Sequence, residues 1–340
     1  MDKPRRQEQE QASPEITEVA PGVLRMQLPI DMPGLGHVNC YALEDERGIA
    51  IVDPGLPGDE SWRHLVDRLD RSGAGLKRVH TVVVTHSHPD HFGGAGRVRA
   101  ETGAELITHE AFRTWWDPSE DETPLEDAAP NPWRSTPWGG DEYMPDPDRR
   151  ARFEEMRKNN VFPAPRPSRR VEDAEIVTLA GREWVSMHTP GHTADHLCLF
   201  DPAEGVLLSG DHVLPTITPH INGIGTSEDP LAQFFASLER MTELEGVTIV
   251  LPAHGHPFTD VADRAKAIRR HHEERLDKLR AASREIGGFA TVQELSQHLF
   301  APRSWGQMAD SETFAHLEHL RLLGNAECRS EDGKLLYEVG

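Results

Sequence analysis

The chain is predicted to fold as an α/β layered sandwich, two packed sheets covered by helices, with a smaller C-terminal unit. Three observations predict it. Strand-like and helix-like segments alternate from Ile16 onward. Five separate apolar runs each finish in a histidine or aspartate with glycine alongside, as strand ends converging on one rim would. The length of 340 residues exceeds one typical domain and leaves room for an appended module.

Taken in order, residues 1–15 read as a disordered polar tail, since MDKPRRQEQEQ has no apolar stretch. Residues 16–260 form the main domain. It opens with strands near Gly22 to Leu28, Val38 to Leu43 and Ile49 to Val52, then a helix from Asp59 to Arg71. A strand through Val82-Val83-Val84 leads into His86-Ser87-His88-Pro89-Asp90-His91, followed by a short helix to about Thr102 and a strand at Glu105 to Thr108. Residues 111–171 interrupt the alternation, being rich in proline and acid and carrying Trp115, Trp116, Trp133 and Trp138. A loop this long is usually a functional lid or an insert. Its indoles would either shape an apolar substrate pocket over the cleft or anchor the insert to its own domain or to a twin subunit in a homodimer. An amphipathic helix from Asp148 to Lys158 suits either role. Strands resume at Glu175, a helix spans Pro230 to Glu243, and a last strand at 247–253 ends in His254.

Residues 261–340 form the C-terminal unit. A long charged helix from Val261 is followed by helices near Thr291 to Leu299 and Ser311 to Leu323, then a hairpin turning at Asp332-Gly333. His271 and His272 on the first of these helices are expected to be solvated.

The run His86 to His91 has the composition of a metal site at a strand edge. Histidines two apart on an extended segment point the same way, so His86 and His88 can grip one ion, which leaves Asp90 and His91 for a second. A histidine-rich loop that binds nothing would have the same six residues. The other run ends speak against that: Asp53 after Ile49 to Val52, His192 after Trp184 to Met187, Asp211 after Val206 to Gly210, and His254.

In this order of residues the chain resembles the metallo-β-lactamase superfamily, whose signature of aspartate, HxHxDH, histidine, aspartate and histidine is met by Asp53, by His86, His88, Asp90 and His91, then by His192, Asp211 and His254. The resemblance covers roughly residues 17–260 and implies an αββα sandwich. It further implies that His86, His88 and His192 hold a first metal and Asp90, His91 and His254 a second. Asp211 would bridge them, while Asp53 orients the metal loop from behind without binding. Two divalent ions follow, zinc by default, with iron or manganese also suited to histidine and aspartate. The bridging aspartate, where true β-lactamases have cysteine, is similar to the glyoxalase II branch. The C-terminal unit resembles the winged helix of hydrolases of the β-lactamase-like protein 2 type.

The implied chemistry is hydrolysis of a small-molecule acyl substrate, a thioester, ester or lactone, by hydroxide formed at the metals, whose bound water has a pKa near about 7. Asp90 and Asp211 are the carboxylates placed at the reacting centre. Two alternatives stand: a phosphodiesterase or endoribonuclease of the β-lactamase-like protein 2 type, and a non-catalytic ligand sensor contacting DNA through the winged helix. The net charge of -21 argues against nucleic acid, and the candidate recognition helix carries Glu312 and Glu318 against Arg321 alone.

Substrate contacts are assigned to His220, in a Gly- and Pro-containing loop, and to His37 at a strand start. Arg169 and Arg170, with Arg166, could hold a substrate carboxylate or phosphate, or simply balance nearby acids. His196 is expected to pack or to orient its neighbour His192 rather than bind metal, and His212 and His256 to point away. Cys40, Cys198 and Cys328 are few and odd in number, which fits a reducing cytoplasm. No apolar run approaches the roughly 20 residues of a membrane span.

Overall fold

The computed structural model describes residues 6–32, 34–114, 136–139, 166–225 and 227–340. Trp115, Trp116, Trp133 and the helix expected over 148–158 lie outside the described residues.

Among the described residues, seven strands form the first sheet in sequential order: β1 (Ile16–Ala20), β2 (Val23–Met32), β3 (Leu35–Asp45), β4 (Gly48–Val52), β5 (Val79–Val83), β6 (Glu105–His109) and β7 (Arg169–Val171). The second sheet holds β8 (Ile176–Leu179), β9 (Arg182–His188), β10 (Leu197–Asp201), β11 (Val206–Gly210) and β12 (Ile249–Pro252), again in sequential order. The first three strands of the first sheet are antiparallel hairpins; β4 to β7 run parallel, with α1 (Asp59–Arg71) between β4 and β5 and α2 (Pro89–Phe92) and α3 (Ala95–Thr102) between β5 and β6.

Side-chain alternation divides the core into three layers. In β4, Ile49 and Ile51 face outward to pack with Leu65 and Leu69 of α1 and with Val98 of α3. Ala50 and Val52 face inward, where they join Tyr41 and Val83 against Trp184, Leu199, Leu208 and Leu251 of the second sheet. Both faces of β4 are therefore buried, as a strand covered on both sides by apolar layers requires. The outer face of the second sheet meets α4 (Pro230–Glu243) through Leu207 and Val250 against Phe234 and Leu238. Helix α4 begins where it does because Pro230 suits the first helical position and Asp229 accepts the Ala232 N–H at 2.9 Å, a cap worth about 1 kcal/mol. The order is thus helix, sheet, sheet, helix.

The same outer core continues into the C-terminal segment. There α5 (Val261–Ile286), β13 (Ala290–Thr291), α6 (Val292–Leu299), α7 (Gln307–Leu322) and the hairpin β14 (Ala326–Glu331) and β15 (Lys334–Val339) supply Ile268, Leu279, Leu295, Leu317, Tyr337 and Val339 to one cluster with Phe234. Three helices and a small sheet are present as expected, but they share their core with the sandwich. His272 is fully buried in that core against His316, not solvated.

The tail expected to be disordered is ordered over residues 6–15, the part of it that is described. Gln7–Gln9 form a 3-10 turn, and buried Glu8 accepts the N–H groups of Thr216 and Ile217 at 2.8 and 3.0 Å. The tail's polar side chains satisfy loop donors that would otherwise be unpaired. Trp138 is the described tryptophan of the insert. It is buried against Phe314, and its carbonyl accepts the Leu335 N–H, so it anchors the insert to the C-terminal hairpin.

Candidate metal centre

Five strand ends build one rim. Strands β4 and β5 are parallel, and in the second sheet β9, β11 and β12 all run one way because β10 is antiparallel to both its neighbours and β11 is parallel to β12. Their C-terminal ends deliver Asp53, His86, His192, Asp211 and His254. After β5 the chain bends at His86 and Ser87, His88 is extended, and Pro89 starts α2, so Asp90 and His91 lie on a helical turn. Gly93 and Gly94 are needed for close approach: a Cβ on Gly93 would stand 2.2 Å from the Pro57 nitrogen and one on Gly94 2.5 Å from the Pro54 carbonyl. These glycines press the His-rich turn onto the loop that follows Asp53. Gly210 has a different reason, a φ of 51° and a would-be Cβ 2.6 Å from His196 Nε2.

Seven ligand-type side chains converge in two groups. His86, His88, His192 and Asp211 offer atoms that all lie within 4.8 Å of one another, and Asp90, His91 and His254 do likewise. His88 Nδ1 is 2.9 Å from His86 Nε2 and 3.1 Å from His192 Nε2. Asp90 Oδ2 is 3.5 Å from both His91 Nε2 and His254 Nε2. Asp211 reaches both groups: Oδ2 is 3.6 Å from His192 Nε2 and 3.7 Å from His91 Nε2, and Oδ1 is 3.4 Å from His254 Nε2. Two donors on one tetrahedral ion at about 2.0–2.1 Å stand roughly 3.3 Å apart, so these separations fit a shared ion in each group.

The rear nitrogens fix each ring. His91 Nδ1 donates to Asp53 Oδ2 at 2.8 Å, His254 Nδ1 to the His37 carbonyl at 2.6 Å, and His192 Nδ1 to the His220 carbonyl at 2.7 Å. Each ring therefore turns Nε2 forward. Asp53 is itself held by the N–H and hydroxyl of Thr85 at 2.9 and 2.8 Å, with its backbone at a φ of 55°. His196 accepts the Asp211 N–H at 3.0 Å and bonds Thr189 Oγ1 at 2.8 Å, so it holds Asp211 rather than the neighbouring His192.

Electrostatics agree with a cation site. Burial, reinforced by neighbouring imidazoles, holds His86 and His88 well below the ordinary histidine range, so both are neutral donors. Burial also opposes charge on His91, yet Asp90, Asp211 and Asp53 outweigh it and raise it to about 10. His254 is raised by Asp211 and Asp90 in spite of its burial. Burial likewise works against ionised Asp211, but His254 and His91 hold it well below the usual carboxylate range. His91 Nε2, His254 Nε2 and Asp211 Oδ1 are buried without a hydrogen-bond partner. Neutral His86 and His88, ionised Asp211, and two imidazoles whose acidic neighbours favour a positive charge at their Nε2 make up a site that favours cations.

The expected substrate contacts sit elsewhere. His37 is fully buried between the Glu10 carbonyl and the Gly255 N–H, and braces His254. His220 turns its ring to Glu312, with Nδ1 3.3 Å from Oε2, and braces His192 through its carbonyl. Arg169 pairs with Glu175 at 2.6 Å, and Arg170 donates to the carbonyls of Glu110 and Phe112 at 3.0 Å. His256 pairs with Glu10 at 2.8 Å.

Beside the first group opens a cleft of ≈ 300 Å³, walled by Ser87, His88, Arg113, Asp195, Asn222 and Ile224 among others. Arg113 and Asp195 were not singled out from the sequence. Asp195 sits in the HTADH run beside His192. It is buried, accepts from Ser87 Oγ at 3.1 Å, and burial pushes it up to about 6. Thr85 was missed as well, although its place between the apolar strand and His86 marks it as the residue that must meet Asp53.

The chain belongs to the metallo-beta-lactamase superfamily, whose family model matches residues 33–254. It is similar over most of its length to the metallo-beta-lactamase family protein TTHA1429 of Thermus thermophilus, at 30% identity, 95% of this chain, 100% of that chain and a TM-score of 0.76. It is 30% identical over 141 residues to Lactamase-like protein aptB of Emericella nidulans, covering 41% of this chain and 43% of that protein. The match to the first two curated relatives spans about half of their length, 43% and 52%. Acyl-coenzyme A thioesterase MBLAC2 of Gallus gallus is 28% identical over 244 residues, 65% of this chain and 74% of that protein. Among the described residues, no helix is long and apolar enough to cross a membrane.

Proposed function

We propose that the chain is a dinuclear metal-dependent hydrolase of acyl substrates, thioesters before esters and lactones. The observation that carries this reading is the sorting of seven side chains into two ligand groups joined by Asp211 beside one cleft. His86, His88 and His192 would hold one ion and Asp90, His91 and His254 the other, zinc by default and iron or manganese by the same donor chemistry. Bound there, the ions supply Lewis acidity toward the substrate's oxygen and lower the pKa of water to about 7.

The chain's own residues supply orientation. Asp53, His37 and His220 lock three imidazoles in the tautomer that points forward, and His196 fixes the backbone of Asp211. The cleft beyond His88 offers Ile224 and Pro230 to an acyl chain and Asn222, Gln233 and Arg113 to a polar head. No nucleophilic serine or cysteine is needed. Cys40 and Cys198 are buried and free, with the Cys198 thiol pushed up to about 12 by burial. An aspartate between the two groups, similar to the glyoxalase II branch, and the likeness to a thioesterase support the choice of acyl substrate. The C-terminal unit is read as winged-helix-like with a structural role, and the cytoplasm as the location, from its unpaired cysteines.

The test is a panel of acyl-coenzyme A thioesters, homoserine lactones, bis-p-nitrophenyl phosphate and a short RNA, with metal content measured on the purified chain. Thioester cleavage with two metals per chain is expected, reduced at least about 100-fold in His88→Ala and Asp211→Asn. Cleavage of the phosphodiester alone would favour a nuclease, and full activity in both variants would overturn the mechanism.

A further inference from the structure

The rear support of His192 lies on a loop rather than in the sandwich. Its Nδ1 donates to the His220 carbonyl, so the direction of its ring depends on what holds residues 220–223. Those residues are held by helix α7 of the C-terminal segment. Glu312 Oε2 lies 3.3 Å from His220 Nδ1; Ser311 Oγ donates to Asn222 Oδ1 at 2.7 Å and accepts the Gly223 N–H at 3.0 Å. Gly223 approaches α7 so closely that a Cβ there would lie 2.5 Å from the Ser311 carbonyl. Ser311 and Glu312 are both buried, and Asn222 and Ile224 of the same loop wall the cleft.

Glu312 also belongs to a third ligand-like group with His272 and His316. Charge argues against an ion there. His316 Nδ1 donates to the Glu312 carbonyl at 2.6 Å, and its Nε2 faces His272 Nδ1 at 3.1 Å, a hydrogen bond between two neutral rings. The Glu312 carboxylate is already neutralised by Arg275 of α5. Adding a divalent ion to this buried, balanced set would leave two uncompensated positive charges, which burial strongly penalises. The cluster is a charge-neutral anchor that fixes Glu312 in place.

We propose that Glu312 is a positioning residue for the metal ligand His192, acting through His220, so that α7 of the C-terminal segment completes the metal centre of the sandwich. This rests on the assignment of His192 as a ligand. Ser311 serves the same loop from the same helical turn. The C-terminal segment then has a task at the site that needs no nucleic acid.

The test uses the full chain loaded with Co²⁺, following its visible absorption and its affinity by chelator competition. In Glu312→Gln and Ser311→Ala, one of the two equivalents should bind about 10–100-fold more weakly with an altered spectrum, while the other stays within about twofold of wild type. The value of kcat should fall with KM little changed. Glu318→Gln, farther along α7 and bonded to Arg321 and Tyr337, is the control for simple destabilisation and should leave both affinities unchanged. Wild-type affinity and spectrum in Glu312→Gln and Ser311→Ala would overturn the inference while leaving the two-metal reading intact. Fewer than two equivalents in the unmodified chain would overturn that reading and this inference with it.

Discussion

Asp53 touches neither group of forward-facing nitrogens, yet it decides the direction of one. Its two oxygens accept from Thr85 and from His91 Nδ1, and the positive φ that aims it there is a strained conformation for aspartate. Replacing it with asparagine keeps the shape but puts an amide where one oxygen accepts, and removes the charge that stabilises His91 as a donor. Asp53→Asn should therefore weaken metal affinity about 10–100-fold with the fold retained. Chelator competition alongside far-UV circular dichroism checks it; unchanged affinity would show that Thr85 and packing orient His91 without help.

Among elements, the C-terminal helices matter more than an appended module would. Helix α5 places Ile268 and Leu279 in one cluster with Leu231 and Phe234 of α4, and His319 of α7 pairs with the α4 cap Asp229 at 2.9 Å. Ending the chain at Asp260 would expose that face of α4, and each large side chain returned to water costs about 1.5–3 kcal/mol. Several such residues exceed the usual stability of a domain, about 5–15 kcal/mol. The truncated chain should aggregate or lose cooperative unfolding. A soluble, monomeric 1–260 fragment with a sharp thermal transition would refute a shared core.

For the whole molecule, buried neutral histidines set the response to acid. Burial, then His316 and Arg275 for His272, and Arg275 and His319 for His316, hold both well below the ordinary histidine range. Their folded forms refuse a proton that the unfolded chain accepts near its ordinary value, about 6.5. Their contribution to stability is thus complete above about pH 6.5 and is lost as pH falls below it, by up to about 1.4 kcal/mol per pH unit for each ring. Urea denaturation between pH 7.5 and 5 should show this loss, and His316→Gln should make the slope shallower. An equal slope in the variant would place the acid sensitivity elsewhere.

The sandwich and the side chains facing its rim were legible along the chain itself. Apolar alternation and the residue type ending each strand are local properties, and a run such as Ile49 to Val52 followed by Asp53 has few ways to pack. The order Asp53, His86, His88, Asp90, His91, His192, Asp211 and His254 was legible too, because histidine and aspartate after apolar runs are chemically distinctive. What stands behind those side chains was settled by packing alone. His37 at its strand start and His220 in its loop look like substrate contacts, but long-range hydrogen bonds to Gly255 and Glu312 turn them into braces. Arg170 gains the carbonyls of Glu110 and Phe112, on the other side of the insert, as partners that no local pattern encodes. The polar tail around Glu8 becomes ordered because unpaired donors of a distant loop await it. Such roles depend on partners far off in the chain, where spacing carries no signal and only the folded molecule selects the neighbour.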